Sequence, residues 1–551
     1  MKPTPQSPSW RMWLVITLVV VLEFLVFDQA TSRHYASIFP QWSDQIQYLS
    51  EVYQSYDASQ AHGFWAGVEY AFTNPAAQGS LHDILAVPLF ELVGPSRSAA
   101  LSLNMLAFLA WQVALLLVIY RMSGSRVLSW MGFGLLLALA GPWSGGPGSA
   151  VDFRLDHGAM CLMGVTSLLA LLTRGFRSRG WSLFFGLSVG VTVLERFLTG
   201  TYFAPIFLVI GIWIAITGER RQRWLNLLLA GLVATIIAGP QFWINRTWIL
   251  NYYWGGHIIG AESAARASGL SIGASIEYVL GWFMSLHVGA FLLVVIAAVT
   301  VMLGQAVIIG RQFTIKWPDR DWLFTGLAFF FLPAVILCLH RQKSAYVLGI
   351  LVPGLFLLLL WFWAAMIRCI ETTSHHESKV RWYAPVALLL TLLSGSGYFL
   401  YRQIPSPHSQ EFLNANHNIR RFADKIHSAS LTPELAEPYV GFDRISDSFD
   451  GVVLRLMCYE RHKVWIPIRV MLPINILEIA DEDLLDRLQR CHLFVLTDEM
   501  PGHGYWPYDR QMVKSRDFLQ TWCDQHLVKV DEFRFLDRQM SLYQRPNLPT
   551  L

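Results

Sequence analysis

The sequence predicts an α-helical polytopic membrane protein of about 11 transmembrane helices, ending in a small C-terminal α/β domain. Three observations carry this. Apolar residues make up 54% of the 551 residues and charged residues only 15%, well below the roughly 25% of ordinary soluble domains. Several apolar runs reach the roughly 20 residues a helix needs to cross a bilayer. From about Ile404 the composition becomes that of a soluble domain, which divides the chain into a membrane domain, 1–403, and a soluble domain, 404–551. The net charge of +3 is small, and no basic tract points to nucleic acid.

The expected spans are roughly 12–30, 99–120, 127–142, 157–173, 181–194, 201–217, 225–243, 284–309, 322–339, 344–366 and 383–402. Spans of this length are helices, because a helix leaves no backbone polar group unpaired in lipid. The first has Lys2 and Arg11 before it and no small-residue cleavage site after it, so it reads as an uncleaved span. Five connections are rich in Arg and Lys: Arg121/Arg126, Arg174/Arg177/Arg179, Arg220/Arg221/Arg223, Arg311/Lys316/Arg320 and Arg368/Lys379/Arg381. All five fall on the side of the N-terminus, which the positive-inside rule makes cytoplasmic. The expected location is a plasma or inner membrane.

The other side receives a long 31–98 loop, the 141–156 loop, the 195–200 corner, a 244–283 loop, the 340–343 corner and the soluble domain. In that domain Glu411–Ala429, Asp481–Gln489 and Asp517–Gln525 read as helices. Gly451–Met457, His462–Arg469, His492–Thr497, Leu527–Phe535 and Met540–Tyr543 read as strands. The 500–508 loop, rich in Gly, Pro and aromatic rings, could lie over the membrane. No CxxC or Cys/His spacing argues for zinc. Cys458, Cys491 and Cys523 leave room for one disulfide with one thiol over.

Five stretches could carry chemistry, one of them the 244–283 loop with Arg246, His257, Glu262 and Arg266, which either folds over a lipid-facing cavity or is a mobile connector. Asp44, with Gln45 and Tyr48, opens the first outer loop; it is either a general base or a helix cap. Asp152, Arg154 and Asp156 precede a span, and charges there are costly unless paired, so they are functional or a structural ion pair. If helical, Asp152 and Asp156 share a face. Glu195-Arg196 is a neutralising pair or a substrate contact. His340, Arg341, Lys343 and Tyr346 form a cationic corner on the side where the positive-inside rule disfavours cations. It fits an anionic ligand such as a phosphate, or snorkelling to lipid headgroups.

In layout the chain resembles the GT-C class of membrane glycosyltransferases, in particular the protein O-mannosyltransferases and lipid A aminoarabinose transferases. Asp44-Gln45-Ile46-Gln47-Tyr48 stands for an Asp-Glu-x-x-Tyr motif, with Gln45 replacing the second acid. Asn74-Pro75, Leu81–Pro88 and Leu89-Phe90-Glu91-Leu92-Val93-Gly94 stand for the Pro-rich segment and the Phe-x-Leu-x-Gly that follows it. Leu194-Glu195-Arg196 stands for a Leu-Thr-Lys-like segment, and Lys343-Ser344-Ala345-Tyr346 through Pro353 for a Lys-x-x-Tyr-apolar-Pro segment. The resemblance covers roughly 10–400 and implies a sugar transferred, with inversion, from a polyprenyl-phosphate donor to an extracytoplasmic acceptor. It makes Asp44 the base and Asp156 or Asp152 its orienting partner. His340, Arg341 and Lys343 then stabilise the leaving phosphate. No obligatory metal is expected, although some relatives use a divalent cation. A transporter of lipid-linked sugars and a non-catalytic assembly subunit are the rival readings. The transporter should show related halves, and none is visible.

Overall fold

The structure is a computed structural model. It describes residues 9–546 except 75–77, 218–219, 257, 260–270, 290, 293, 297–298, 301–317, 341–343, 375–382, 405–406, 431–438, 444–450, 472–479, 498–508 and 537. Seven segments among the described residues are helices long and apolar enough to cross a membrane: Trp10–Tyr35, Arg97–Ser123, Leu155–Leu172, Thr199–Thr217, Arg221–Gly256, Arg320–Leu339 and Ala345–Ile367. Each coincides with an expected span. The expected 127–142 span is a shorter helix, Arg126–Leu137, followed by a 3-10 turn at Gly141–Trp143. Its 12 residues reach about 18 Å at about 1.5 Å each. The 181–194 span is the 17-residue helix Arg179–Glu195, and 383–402 is the helix Tyr383–Gln403. Most of 284–309 lies outside the described residues.

In chain order the membrane helices are α1 (Trp10–Ala30), α5 (Arg97–Ser123), α6 (Arg126–Leu137), α7 (Leu155–Leu172), α8 (Arg179–Glu195), α9 (Thr199–Thr217), α10 (Arg220–Leu250), α12 (Arg320–Leu339), α13 (Val352–Ser374) and α14 (Tyr383–Gln403). Serine hydroxyls start several of them: Ser9 accepts from Met12 N, and Ser96 from Ala99 N. Small residues let helices approach. A Cβ at Gly395 would overlap the Gly134 carbonyl, so α6 and α14 touch backbone to backbone.

The 31–98 segment is not a plain loop. It folds as a π-helical turn, Thr31–Tyr35, then α2 (Ser43–His62), α3 (Phe64–Thr73) and α4 (Leu81–Val93). The expected 244–283 loop is also partly helical. α10 runs on to Leu250, a π-helical turn continues to Gly256, and α11 (Ile272–Trp282) follows.

After α14 come α15 (Gln410–Ser430), α16 (Gly451–His462), α17 (Asp481–Gln489) and α18 (Asp509–His526). The strands are β1 (Val440–Phe442), β2 (Ile468–Val470), β3 (Leu493–Thr497), β4 (Val528–Phe535) and β5 (Arg538–Gln544), in the sheet order β2-β1-β3-β5-β4. β1 runs parallel to β2 and β3, and β5 is antiparallel to β3 and β4. The expected strand at Gly451–Met457 is helix α16. Val453, Leu454, Leu456, Met457, Cys458 and Tyr459 are all buried, and an apolar run buried on several sides has no period to separate strand from helix. The described cysteines form no disulfide.

The soluble segment docks on α2 and the start of α5 through buried polar contacts. Arg97, 4% exposed, gives Nε to Glu460 Oε1 at 3.1 Å and Nη1 to Tyr35 O at 3.3 Å. Tyr53 donates to the same Glu460 oxygen at 3.1 Å. Asp57 accepts from the Tyr459 hydroxyl and from Trp465 Nε1 at 2.6 Å. Phe39 stacks on Phe412 with centroids 4.6 Å apart. Removing one partner of a buried pair costs about 3–5 kcal/mol, whereas an exposed pair is worth roughly 0–1 kcal/mol. Glu460→Ala should therefore lower the melting temperature of the purified protein far more than Asp424→Ala, whose pairs with Arg461 and His462 are partly exposed. Equal shifts would remove Arg97–Glu460 as the docking anchor.

Candidate functional site

One end of the bundle gathers the polar residues. There α7 begins, α8 ends, α9 begins, α12 ends and α13 is entered by a 3-10 turn, Ala345–Leu351. The Arg-rich connections at 121–126 and 174–179 join the opposite ends of α5 to α8. At that opposite end Arg177 pairs with Asp321 at 3.1 Å.

Asp44 lies in the first turn of α2, where the free N–H groups and the helix dipole favour a carboxylate. Its side chain is 43% exposed. Arg154 reaches it: Nη1 is 3.0 Å from Asp44 Oδ2, and Nε is 2.9 Å from Asp152 Oδ2. The Gly148 N–H also donates to Asp152 Oδ2 at 2.7 Å. The guanidinium lies 4.9 Å from the centre of the Tyr346 ring, a cation–π arrangement. Burial pushes the Asp152 carboxyl up to about 7, against the lowering pull of Arg154 and the Gly148 N–H. Asp152 and Asp156 do not share a helical face, because α7 starts only at Leu155. Asp156 instead pairs with Arg196.

Glu195 and Arg196 point apart. Glu195, the last residue of α8, lies with Oε1 2.6 Å from His82 Nδ1, while Arg196 turns to Asp156. The backbone enforces this: Ser80 N donates to Leu194 O at 2.9 Å and Phe197 N to Gln78 O at 2.7 Å, pinning the 195–197 corner to the approach of α4. Tyr48, Tyr202, Tyr253 and Tyr346 lie within electrostatic reach of the Arg196 guanidinium. Tyr252 accepts from Gln78 Nε2 at 2.8 Å and lies within reach of Asp44.

Gln45, where the motif carries an acid, donates Nε2 to Val151 O at 3.3 Å and so clips α2 to the loop holding Arg154. His340 ends α12, with its backbone N–H on Ile336 O at 2.8 Å. Arg341 and Lys343 lie outside the described residues. Arg154 thus meets Asp44, Asp152 and Tyr346, and Asp156 and Arg196 meet as a second pair. Tyr48 lies within electrostatic reach of both Asp44 and Arg196. Tyr202, Tyr252, Tyr253, His82 and Asn104 carry no motif; Tyr252 and Tyr253 resemble ordinary interface aromatics.

No protein-family model matches the sequence, and no curated protein matches it. The crystal structure of ArnT from Cupriavidus metallidurans in the apo state matches in fold, with TM-score 0.57 and 15% identity, over 96% of this chain and 97% of that one. The chain therefore has a GT-C-like membrane fold with a small α/β unit after it, the architecture that the motif resemblance implies. It is an integral membrane protein.

Glycine 158 in α7 makes room for the Glu195–His82 contact. A Cβ there would overlap Glu195 Oε1 and come 2.9 Å from His82 Cε1. Gly180 in α8 has open space. Gly158→Ala should destabilise the protein by about 2 kcal/mol or more, the scale of a buried polar group losing its partner. Gly180→Ala should be neutral or slightly stabilising, as alanine favours helix by roughly 0.5–1 kcal/mol. Thermal melts of the two variants decide this; a neutral Gly158→Ala contradicts the packing account.

Proposed function

We propose that the protein is an inverting membrane glycosyltransferase that moves a hexosyl or pentosyl group from a polyprenyl-phosphate donor to an extracytoplasmic glycolipid, polysaccharide or protein. The observation that carries the reading is the Asp44–Arg154–Asp152 constellation beside Tyr346, at one end of a bundle with the ArnT fold. The N-terminus is cytoplasmic and the soluble domain extracytoplasmic in a plasma or inner membrane, in line with the Arg-rich connections at the far end.

Asp44 accepts the proton of the acceptor hydroxyl or amine. The freed oxygen or nitrogen lone pair attacks the anomeric carbon. The bond from that carbon to the phosphate oxygen breaks, and its electrons leave with the polyprenyl phosphate. Arg154 holds one Asp44 oxygen and leaves the side chain 43% exposed to an acceptor. Asp152 holds Arg154 in turn. His340, Arg341 and Lys343, with Tyr346, are assigned the stabilisation of the leaving phosphate, since positive charge there favours the transition state. Arg196 and Asp156, with Tyr48 nearby, bind the sugar side.

Asp44, Asp152 and Asp156 each face a guanidinium, which supports a reading without a divalent ion. Positive charge at the site comes from arginine, and no step is assigned to a metal.

Two outcomes test this in one assay, transfer of radiolabelled sugar from polyprenyl-phosphate donors in vesicles. Asp44→Asn should lower the rate about 10²–10⁴-fold with expression and membrane insertion intact. Transfer by the wild-type chain should survive EDTA. An active Asp44→Asn protein removes the general base, and loss of transfer in EDTA restored by a divalent ion removes the metal-free account.

A further inference from the structure

Behind the candidate site lies a buried hydrogen-bonded row that the mechanism above does not use. His82, in the first turn of α4, is 5% exposed, Glu195 1% and Asn104, on α5, 0%. His82 Nδ1 is 2.6 Å from Glu195 Oε1, an ion-pair contact, and neither atom makes a hydrogen bond of regular geometry. On its other side His82 Nε2 is 3.1 Å from Asn104 Oδ1. Asn104 donates through Nδ2 to Ala150 O at 3.1 Å and to Asp152 O at 2.8 Å.

The hydrogens follow from the chemistry of these groups. An amide nitrogen has two protons and an amide oxygen has none. The two carbonyls take both Asn104 protons, which fixes Nδ2 toward the loop and Oδ1 toward His82. Oδ1 can only accept, so His82 Nε2 carries a proton. On the opposite edge, a carboxylate oxygen 2.6 Å from Nδ1 favours a second proton on the ring by its charge. The ring and the carboxyl together hold both protons with no net charge, as imidazolium against carboxylate. Other groups around the ring are the Phe153 edge, with centroids 4.9 Å apart, and His157; Asp83 lies within electrostatic reach of Glu195.

The Nε2 proton decides which way Asn104 faces. With a bare Nε2 the amide would turn its NH₂ to the ring and its oxygen to two carbonyl oxygens, and both loop contacts would be lost. Those contacts hold the backbone of Ala150 and Asp152. Asp152 holds Arg154, and Arg154 holds Asp44.

We propose that His82 and Asn104 are positioning residues: His82, doubly protonated between Glu195 and Asn104, fixes the amide that sets Asp44 through the 150–152 backbone and Arg154. This rests on the reading of Asp44 as the general base. A displacement on the order of 1 Å at a reacting group can cost about 10²-fold in rate. Groups acting through one chain give non-additive losses.

The test has two arms on the full-length protein in nanodiscs. The first is sugar transfer. Asn104→Ala should lower kcat roughly 10–100-fold, with donor KM within about twofold and the fold retained. Added to Arg154→Ala, it should cause little further loss; Asn104→Ser replaces it if the alanine variant does not fold. A kcat unchanged by Asn104→Ala, or full additivity with Arg154→Ala, overturns the proposal. The second arm is the ¹⁵N spectrum of histidine-labelled protein, with the His82 signals assigned by their loss in His82→Asn. Both ring nitrogens should be protonated at neutral pH, and a bare nitrogen overturns the proposal whatever the activity. Absence of transfer by the wild-type chain removes the reading of Asp44 and the positioning claim with it. A bare His82 nitrogen or an additive loss removes this inference alone.

Discussion

The bridge from Arg154 to two carboxylates is the constraint on which the polar end of this bundle depends. A guanidinium that is 8% exposed is tolerable only when carboxylates meet its charge, because an uncompensated buried charge costs several kcal/mol. Its partners come from separate segments: Asp152 from the loop before α7, Asp44 from α2, and the ring of Tyr346 from the turn before α13. One side chain therefore sets the relative placement of three stretches distant in sequence. The loop in turn is held from behind by Gln45 and Asn104.

The same device recurs twice nearby. Arg196 meets Asp156 and joins the α8–α9 corner to α7. Arg97 meets Glu460 and joins the start of α5 to the soluble segment. Apolar contact drives packing but has no direction, and the fork of a guanidinium supplies the direction. An assembly with much of its apolar surface facing lipid gains register from such pairs more than from further burial.

Much of the fold was legible because bilayer length leaves few alternatives. Runs such as Arg97–Ser123 and Arg320–Leu339 read as spans from composition alone. Residues 31–98 were less legible, because their helices alternate polar and aromatic residues without a clean stripe. Gly451–Met457 reads as a strand but folds within a helix, because its buried apolar run lacks a period. In the site, Asp44, Asp152, Arg154 and Asp156 stood out as charges beside a membrane. Glu195 and Arg196 stood out too, but adjacency in sequence hid that they serve different partners. His82, Asn104 and Tyr252 are placed by contacts with residues far along the chain, which local spacing does not encode. Gln45 shows the converse: it departs from the motif, and the structure gives it a role as an amide clip.

The central claim is that Arg154 works as a fork, joining Asp152 to Asp44, and not as a local positive charge. Replacing it by lysine keeps the charge and removes the second arm of the fork. The most direct measurement is single-turnover sugar transfer by Arg154→Lys against Arg154→Ala. The account predicts that lysine restores little, leaving both variants far below wild type. Transfer by Arg154→Lys close to the wild-type rate would contradict it.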